Sequence, residues 1–202
     1  MAIIIIALSV IIGIILYPYL PPTMITHWGL YGEPNGYSTR SFGVFFMPIL
    51  MLVLYFLLKF LPSTDPYKKN FIQFKSYYDK FVVVVLGFLF YLYLLTLLAN
   101  IFSFNLVRFL PPAFAVLFYY TGVLMSVARQ NWFVGFRTPW TLSDVTVWNK
   151  THILGAKLFK AVALISLLGI FLPRYALFFI LLPIILVSLI IFIYSYLVYR
   201  FK

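Results

Sequence analysis

The stretch YALFFILLPIILVSLIIFIYSYLVY, residues 175–199, carries no charged side chain from end to end. Roughly 20 helical residues cross the ~30 Å hydrocarbon core of a bilayer, so this run is expected to be a membrane-spanning helix. Five other segments have the same character: Ala2 to Leu20, Phe42 to Leu61, Phe81 to Phe104, Phe109 to Val127 and Ile153 to Leu172. The fifth of the six contains Lys157 and Lys160, whose stems must carry their ammonium groups to the interface. Across 202 residues, 64% are hydrophobic and 9% charged, more apolar surface than a water-soluble core can hide. The fold class expected is an all-α integral membrane protein, a six-span helical bundle in the cell membrane with the lipid bilayer as its first partner. Ala2 to Leu20 is read as a retained span, because no basic residue precedes it and no small-residue cleavage pattern follows.

The net charge of +11 is topological. Lys59, Lys68, Lys69, Lys75 and Lys80 flank the second loop; Arg129, Arg137, Lys150, Lys157 and Lys160 flank the fourth; Arg200 and Lys202 end the chain. Only Arg40, Arg108 and Arg174 fall to the other side, and the positive-inside rule turns twelve against three into cytoplasmic N and C termini. Basic loops of this kind attract anionic headgroups, and no nucleic-acid partner is expected. The absence of cysteine excludes disulfides and thiolate chemistry. No Asp or Glu lies inside a span, which disfavours proton-coupled transport, and the two histidines fall on opposite expected faces, which disfavours a metal hydrolase. Neither a metal, a cofactor nor a complete catalytic motif is expected.

Two loops carry chemistry. The first, PPTMITHWGLYGEPNGY (21–37), holds His27 and Glu33, and Glu33 to Gly36 reads as a β-turn. An imidazole and a carboxylate can exchange a proton or hold a cation; equally, Glu33 can cap backbone N–H groups while His27 anchors the loop beside Trp28. The second loop, Pro62 to Lys80, interleaves lysines with aromatics and reads as an interfacial helix or the cytoplasmic end of span three.

The fourth loop, QNWFVGFRTPWTL (130–142), is the other chemical one. It turns at Gly135, and Pro139 holds Thr138 out of helical geometry. A helix then starts, with Thr141 as expected N-cap and Asp144 at the third position. Val145, Trp148, His152, Gly155 and Phe159 form one stripe, on which His152 reads as a satisfied structural histidine. Arg137 offers a planar donor fork to a lipid phosphate, to a peptide carboxylate, or to Asp144 in a bridge closing the loop. Pro48 and Pro183 fall inside spans two and six, whereas Pro111 and Pro112 open span four.

Asn131 to Leu142, followed by Trp148 and His152, resembles the signature of the SdpI family of multi-span membrane proteins, whose founding member is a bacterial immunity protein against a secreted killing peptide. Pro22 to Tyr37 is similar to the uncharacterised membrane module commonly joined to it. The resemblance implies a single membrane domain over 1–202. Within it, a two-span module covers 1–61 with its outer loop at 21–41, and the SdpI-like part covers 105–202 with its inner loop at 128–152. It also implies resistance to an extracellular peptide toxin and signalling to a cytoplasmic regulator. The candidate binding set is Asn131, Arg137, Thr138, Trp140, Trp148 and His152, joined by His27 and Glu33. A rival reading makes the chain an enzyme or lipid-handling protein, with His27 and Glu33 as acid and base.

Overall fold

The computed structural model describes residues 1–102 and 104–202. Helix α1 (Ala2–Leu16) ends in a tight turn at Tyr17–Tyr19 and leads to a hairpin of β1 (Thr23–Trp28) and β2 (Pro34–Thr39). Helices α2 (Arg40–Phe60), α3 (Lys68–Ile101) and α4 (Leu110–Val127) follow, then the short α5 (Pro139–Ser143), α6 (Val145–Leu167) and α7 (Ala176–Arg200). Among the described residues, six helices are long and apolar enough to cross a membrane. They correspond to the six expected spans. Consecutive spans run in opposite senses, so both termini share one end of the bundle, the terminal end, and the hairpin caps the other.

Three features depart from expectation or resolve it. The chain is not all-α: β1 and β2 pair antiparallel, with Thr23 opposite Thr39 and Trp28 opposite Pro34. The turn lies before Glu33 rather than across Glu33–Gly36, because Gly32 supplies the positive φ of +86° there and the Gly29 N–H bonds the Glu33 carbonyl at 2.8 Å. Pro34 therefore opens a strand instead of cornering a turn. Finally, the lysine-rich half of loop two is the start of α3, which at 34 residues is about 50 Å long and projects beyond the bilayer core.

A two-stranded hairpin is marginal alone, and this one is clamped. Asn100 of α3 reads the edge of β1: its Oδ1 accepts the Ile25 N–H at 2.7 Å and its Nδ2 donates to the Ile25 carbonyl at 2.9 Å. Asn105 donates to the Tyr31 carbonyl, the Arg174 guanidinium lies 5.7 Å from the Tyr31 ring centre, and Met24 is buried beneath the sheet. Pro48 and Pro183 lie inside α2 and α7, and Pro111 and Pro112 sit in the first turn of α4, as read from the sequence.

The core has three parts. Phe118, Met125, Ala156, Val162, Ile180 and Ile191 join α4, α6 and α7. Met51, Phe74, Tyr78, Leu124, Val134 and Trp148 fill the terminal end, and Leu20, Met24, Val44, Tyr93 and Leu97 fill the hairpin end. Exposed Ile4, Ile11, Leu182, Leu186, Leu189 and Ile193 on α1 and α7 present apolar surface suited to lipid.

Candidate functional site

The loop between α4 and α6, residues 128–144, is folded by its own polar side chains. Asn131 is fully buried and uses all its hydrogen-bonding capacity. Its Nδ2 donates to the Arg129 and Val134 carbonyls at 2.7 and 2.8 Å, and its Oδ1 accepts the Phe133 and Val134 N–H groups at 2.9 and 2.6 Å. Gln130 donates from Nε2 to the Thr141 and Leu142 carbonyls, both at 2.9 Å, and closes the loop onto α5.

His152 holds the middle of the loop. Its Nε2 faces the Phe136 N–H at 3.0 Å, and an amide can only donate, so Nε2 accepts. Nδ1 then carries the proton and donates to the Trp148 carbonyl at 2.8 Å. The imidazole stacks on the Trp148 ring at 3.9 Å, and Trp148 itself is buried and donates from Nε1 to the Ala128 carbonyl. With both nitrogens engaged, His152 is the satisfied structural histidine expected. Gly135 crosses above this pair at φ +113°, where a Cβ would run into His152 Nε2 and lie 3.3 Å from the indole.

The helix starts three residues earlier than expected. Thr138 is the N-cap of α5: its Oγ1 accepts the Thr141 N–H at 3.2 Å, while the Thr141 Oγ1 accepts the Thr138 N–H at 2.9 Å. Thr138 also bonds Ser195 of α7 at 3.2 Å, and Trp140 packs edge-on against Phe192 and tilted against Tyr196. Asp144 is not the third residue of that box. It is the N-cap of α6, accepting the Thr146 and Val147 N–H groups at 2.7 and 2.9 Å.

The bridge between Arg137 and Asp144 does not form. Arg137 is exposed and donates from Nη1 to the Trp132 carbonyl at 2.5 Å, whereas Asp144 pairs with Lys202. An extended Thr138 turns Arg137 outward, and α7 delivers the C-terminal lysine instead. The Lys202 ammonium, then the Val147 and Thr146 amides, hold the Asp144 carboxyl at about 2. Its unfolded value is about 3.9, so its contribution to stability is present above that pH and lost as pH falls through about 2. Melting curves taken between pH 5 and 2 should show an acid-dependent loss in the wild type that is smaller in Asp144→Asn; equal losses would remove Asp144 from the acid response.

His27 and Glu33 lie at the opposite end from Arg137 and do not pair with each other. His27 Nδ1 shares a 2.5 Å hydrogen bond with Asn35 Oδ1, and Glu33 Oε2 accepts the Tyr31 N–H at 3.2 Å, so the carboxylate caps the turn. Among the described residues, no group of three metal-ligating side chains occurs. Sequence reasoning missed Asp65, which is buried and accepts the Tyr67 N–H at 2.7 Å and the Trp132 N–H at 2.9 Å. It also missed Asn70, whose Nδ2 donates to the Gln130 carbonyl at 2.8 Å. Asp65 stands between Thr64 and Pro66, a turn signal, but nothing local names a partner 67 residues away.

Among the residues exposed on the loop are Trp132, 48% accessible, and Arg137, which bonds the Trp132 carbonyl and whose other donors have no partner among the described residues. An exposed indole and a planar cation on the same loop suit a partner with a carboxylate or phosphate and an apolar flank. Fold and site together define a six-span helical protein of the cell membrane with a rigid, cationic loop at its terminal end.

Residues 127–196, which contain this loop, match the SdpI/YfhL protein family, and residues 4–52 match a domain of unknown function, DUF1648. The chain is 28% identical over 176 residues to Immunity protein SdpI of Bacillus subtilis (strain 168), across 86% of this chain and 82% of that protein. The family whose signature residues 131–152 resemble is the one whose model matches residues 127–196. No solved structure matches the chain.

Proposed function

We propose that this protein defends its own membrane against a membrane-active peptide, with the hairpin outside, both termini in the cytoplasm, and the Arg137 loop addressing a cytoplasmic regulator. One observation carries the reading beyond similarity to an immunity protein. Helix α3 is a single rod whose Asn100 grips β1 at one end and whose Asn70 grips the Arg137 loop at the other. A load on the hairpin thus has a continuous helix through which to bias the loop. The hairpin offers exposed Leu30 and Tyr31 at its turn and Tyr37 on β2 as apolar surface for an amphipathic peptide. In this reading residues 1–61 form the sensing module and 105–202 the responding part. Asn131, Thr138, Trp148 and His152 fold the loop, and Trp140 docks it on α7. Arg137 contacts the partner.

The test is survival of cells expressing the protein when challenged with secreted membrane-active peptides. Wild type and Tyr37→Phe should protect, while Tyr37→Ala and Arg137→Ala should lose protection or its signalling output without loss of melting temperature. Arg137→Lys keeps the charge but loses the fork and should resemble Arg137→Ala. Survival no better than with an empty vector across the panel would overturn the immunity reading. Orientation is tested by single-cysteine labelling at Asn35 and Lys69, both exposed, in a chain otherwise free of cysteine. Impermeant reagent should reach Asn35 from outside and Lys69 only after lysis.

A further inference from the structure

At the terminal end, α3, α4 and α6 diverge around a pocket of about 500 Å³ separate from the Arg137 surface. Gln73 and Tyr77 come from α3, Arg129 from just beyond α4, and Asn149, His152 and Ile153 from α6. The guanidinium of Arg129 makes no hydrogen bond or ion pair among the described residues. The chain cannot easily supply one, because it has only four acidic residues. Glu33 belongs to the hairpin end, Asp79 holds Lys59 and Lys75, Asp144 holds Lys202, and Asp65 is committed to two backbone amides.

We infer that this pocket binds a phosphate-bearing anion, with Arg129 as the charged anchor and Gln73, Tyr77 and Asn149 as flanking hydrogen-bond donors. A guanidinium with a free planar fork matches phosphate oxygens better than any neutral ligand. The volume is sufficient for a headgroup, within the range of small-molecule sites. Ile153, on the rim, is more than half exposed on a membrane-spanning helix, so acyl chains can leave the pocket sideways into lipid. The same chemistry also accepts free phosphate. Occupation would be felt by the Arg137 loop, because His152 forms one wall and its Nε2 holds the Phe136 amide.

Purified protein in a non-ionic detergent is titrated separately with short-chain phosphatidylglycerol and with inorganic phosphate, following thermophoresis. Saturable binding is expected for at least one of them. Lipid binding alone assigns a headgroup site, and phosphate binding of similar strength assigns a free-anion site; both support the inference. Arg129→Gln should weaken binding about tenfold or more, whereas Lys150→Gln, a neighbouring cation outside the lining, should stay within about twofold. Arg129→Gln should melt like the wild type without ligand; if it fails to fold, Asn149→Leu, which narrows the same pocket from α6, is read in its place and should weaken binding comparably. Absence of saturable binding for both ligands would overturn the inference. So would unchanged affinity in the pocket variant, or equal losses in Lys150→Gln, which would mean diffuse charge alone.

Discussion

Gly135→Ala should be among the most damaging single-methyl changes available to this protein, costing about 2–6 kcal/mol from backbone strain plus overpacking. The two costs are separate. At φ +113° an L-residue is strained whatever surrounds it. In addition, the new methyl meets His152 Nε2 and the Trp148 ring, both in the buried interior. Neither ring can retreat, since the imidazole is bonded on its far side to the Trp148 carbonyl and the indole to the Ala128 carbonyl. The loop must lift, breaking the bond from the Phe136 amide to His152. Gly87, in the middle of α3, is the internal comparison: a methyl there meets nothing within 4 Å, and Gly87→Ala should be neutral or stabilising by up to about 1 kcal/mol. Melting of both variants in detergent checks the pair, and equal behaviour would refute the account of Gly135.

Asn131→Ala should be of similar size, about 3 kcal/mol or more, by a different route. It strips the bonds from two carbonyls and two amides at once in a fully buried position. Asn131→Asp is the sharper probe because it keeps the shape and the oxygen that accepts both amides. Its second oxygen would face the Arg129 and Val134 carbonyls, acceptor against acceptors, so it should be nearly as damaging as alanine. The freed loop should also become cleavable by trypsin after Arg129 and Arg137 from the terminal end. Melting of Asn131→Asp within about 1 kcal/mol of wild type, with no new cleavage, would show that the carbonyls find other donors.

The six spans were legible because bilayer thickness converts directly into residue count, and nothing else in a short chain explains such runs as 175–199. The burial of His152 was legible from its place on an apolar helical stripe. The hairpin was not, since its strands are short, rich in turn residues, and held by an asparagine 75 positions away. The shift of the N-cap from Thr141 to Thr138 has a local cause: two threonines three apart both have cap chemistry, and Pro139 prefers the first helical position. Arg137 and Asp144 looked like partners because they are close in sequence. A second helix start at Val145 and the return of α7 separated them. Of the candidate set, His27 and Glu33 both sit on the hairpin, but their engagement with Asn35 and with the Tyr31 amide depends on a turn the sequence placed elsewhere.

The way loop 128–144 is stitched together bears on the kinetics expected of the partner proposed for it. Its backbone is held by Asn131, Gln130, Asn70, Asp65, Thr141 and His152 before any partner arrives. Docking therefore orders little beyond the Arg137 and Trp132 side chains, and encounter should resemble that of two rigid surfaces rather than coupled folding. Association rates should then vary little among variants of the exposed face, with differences in affinity expressed as residence time.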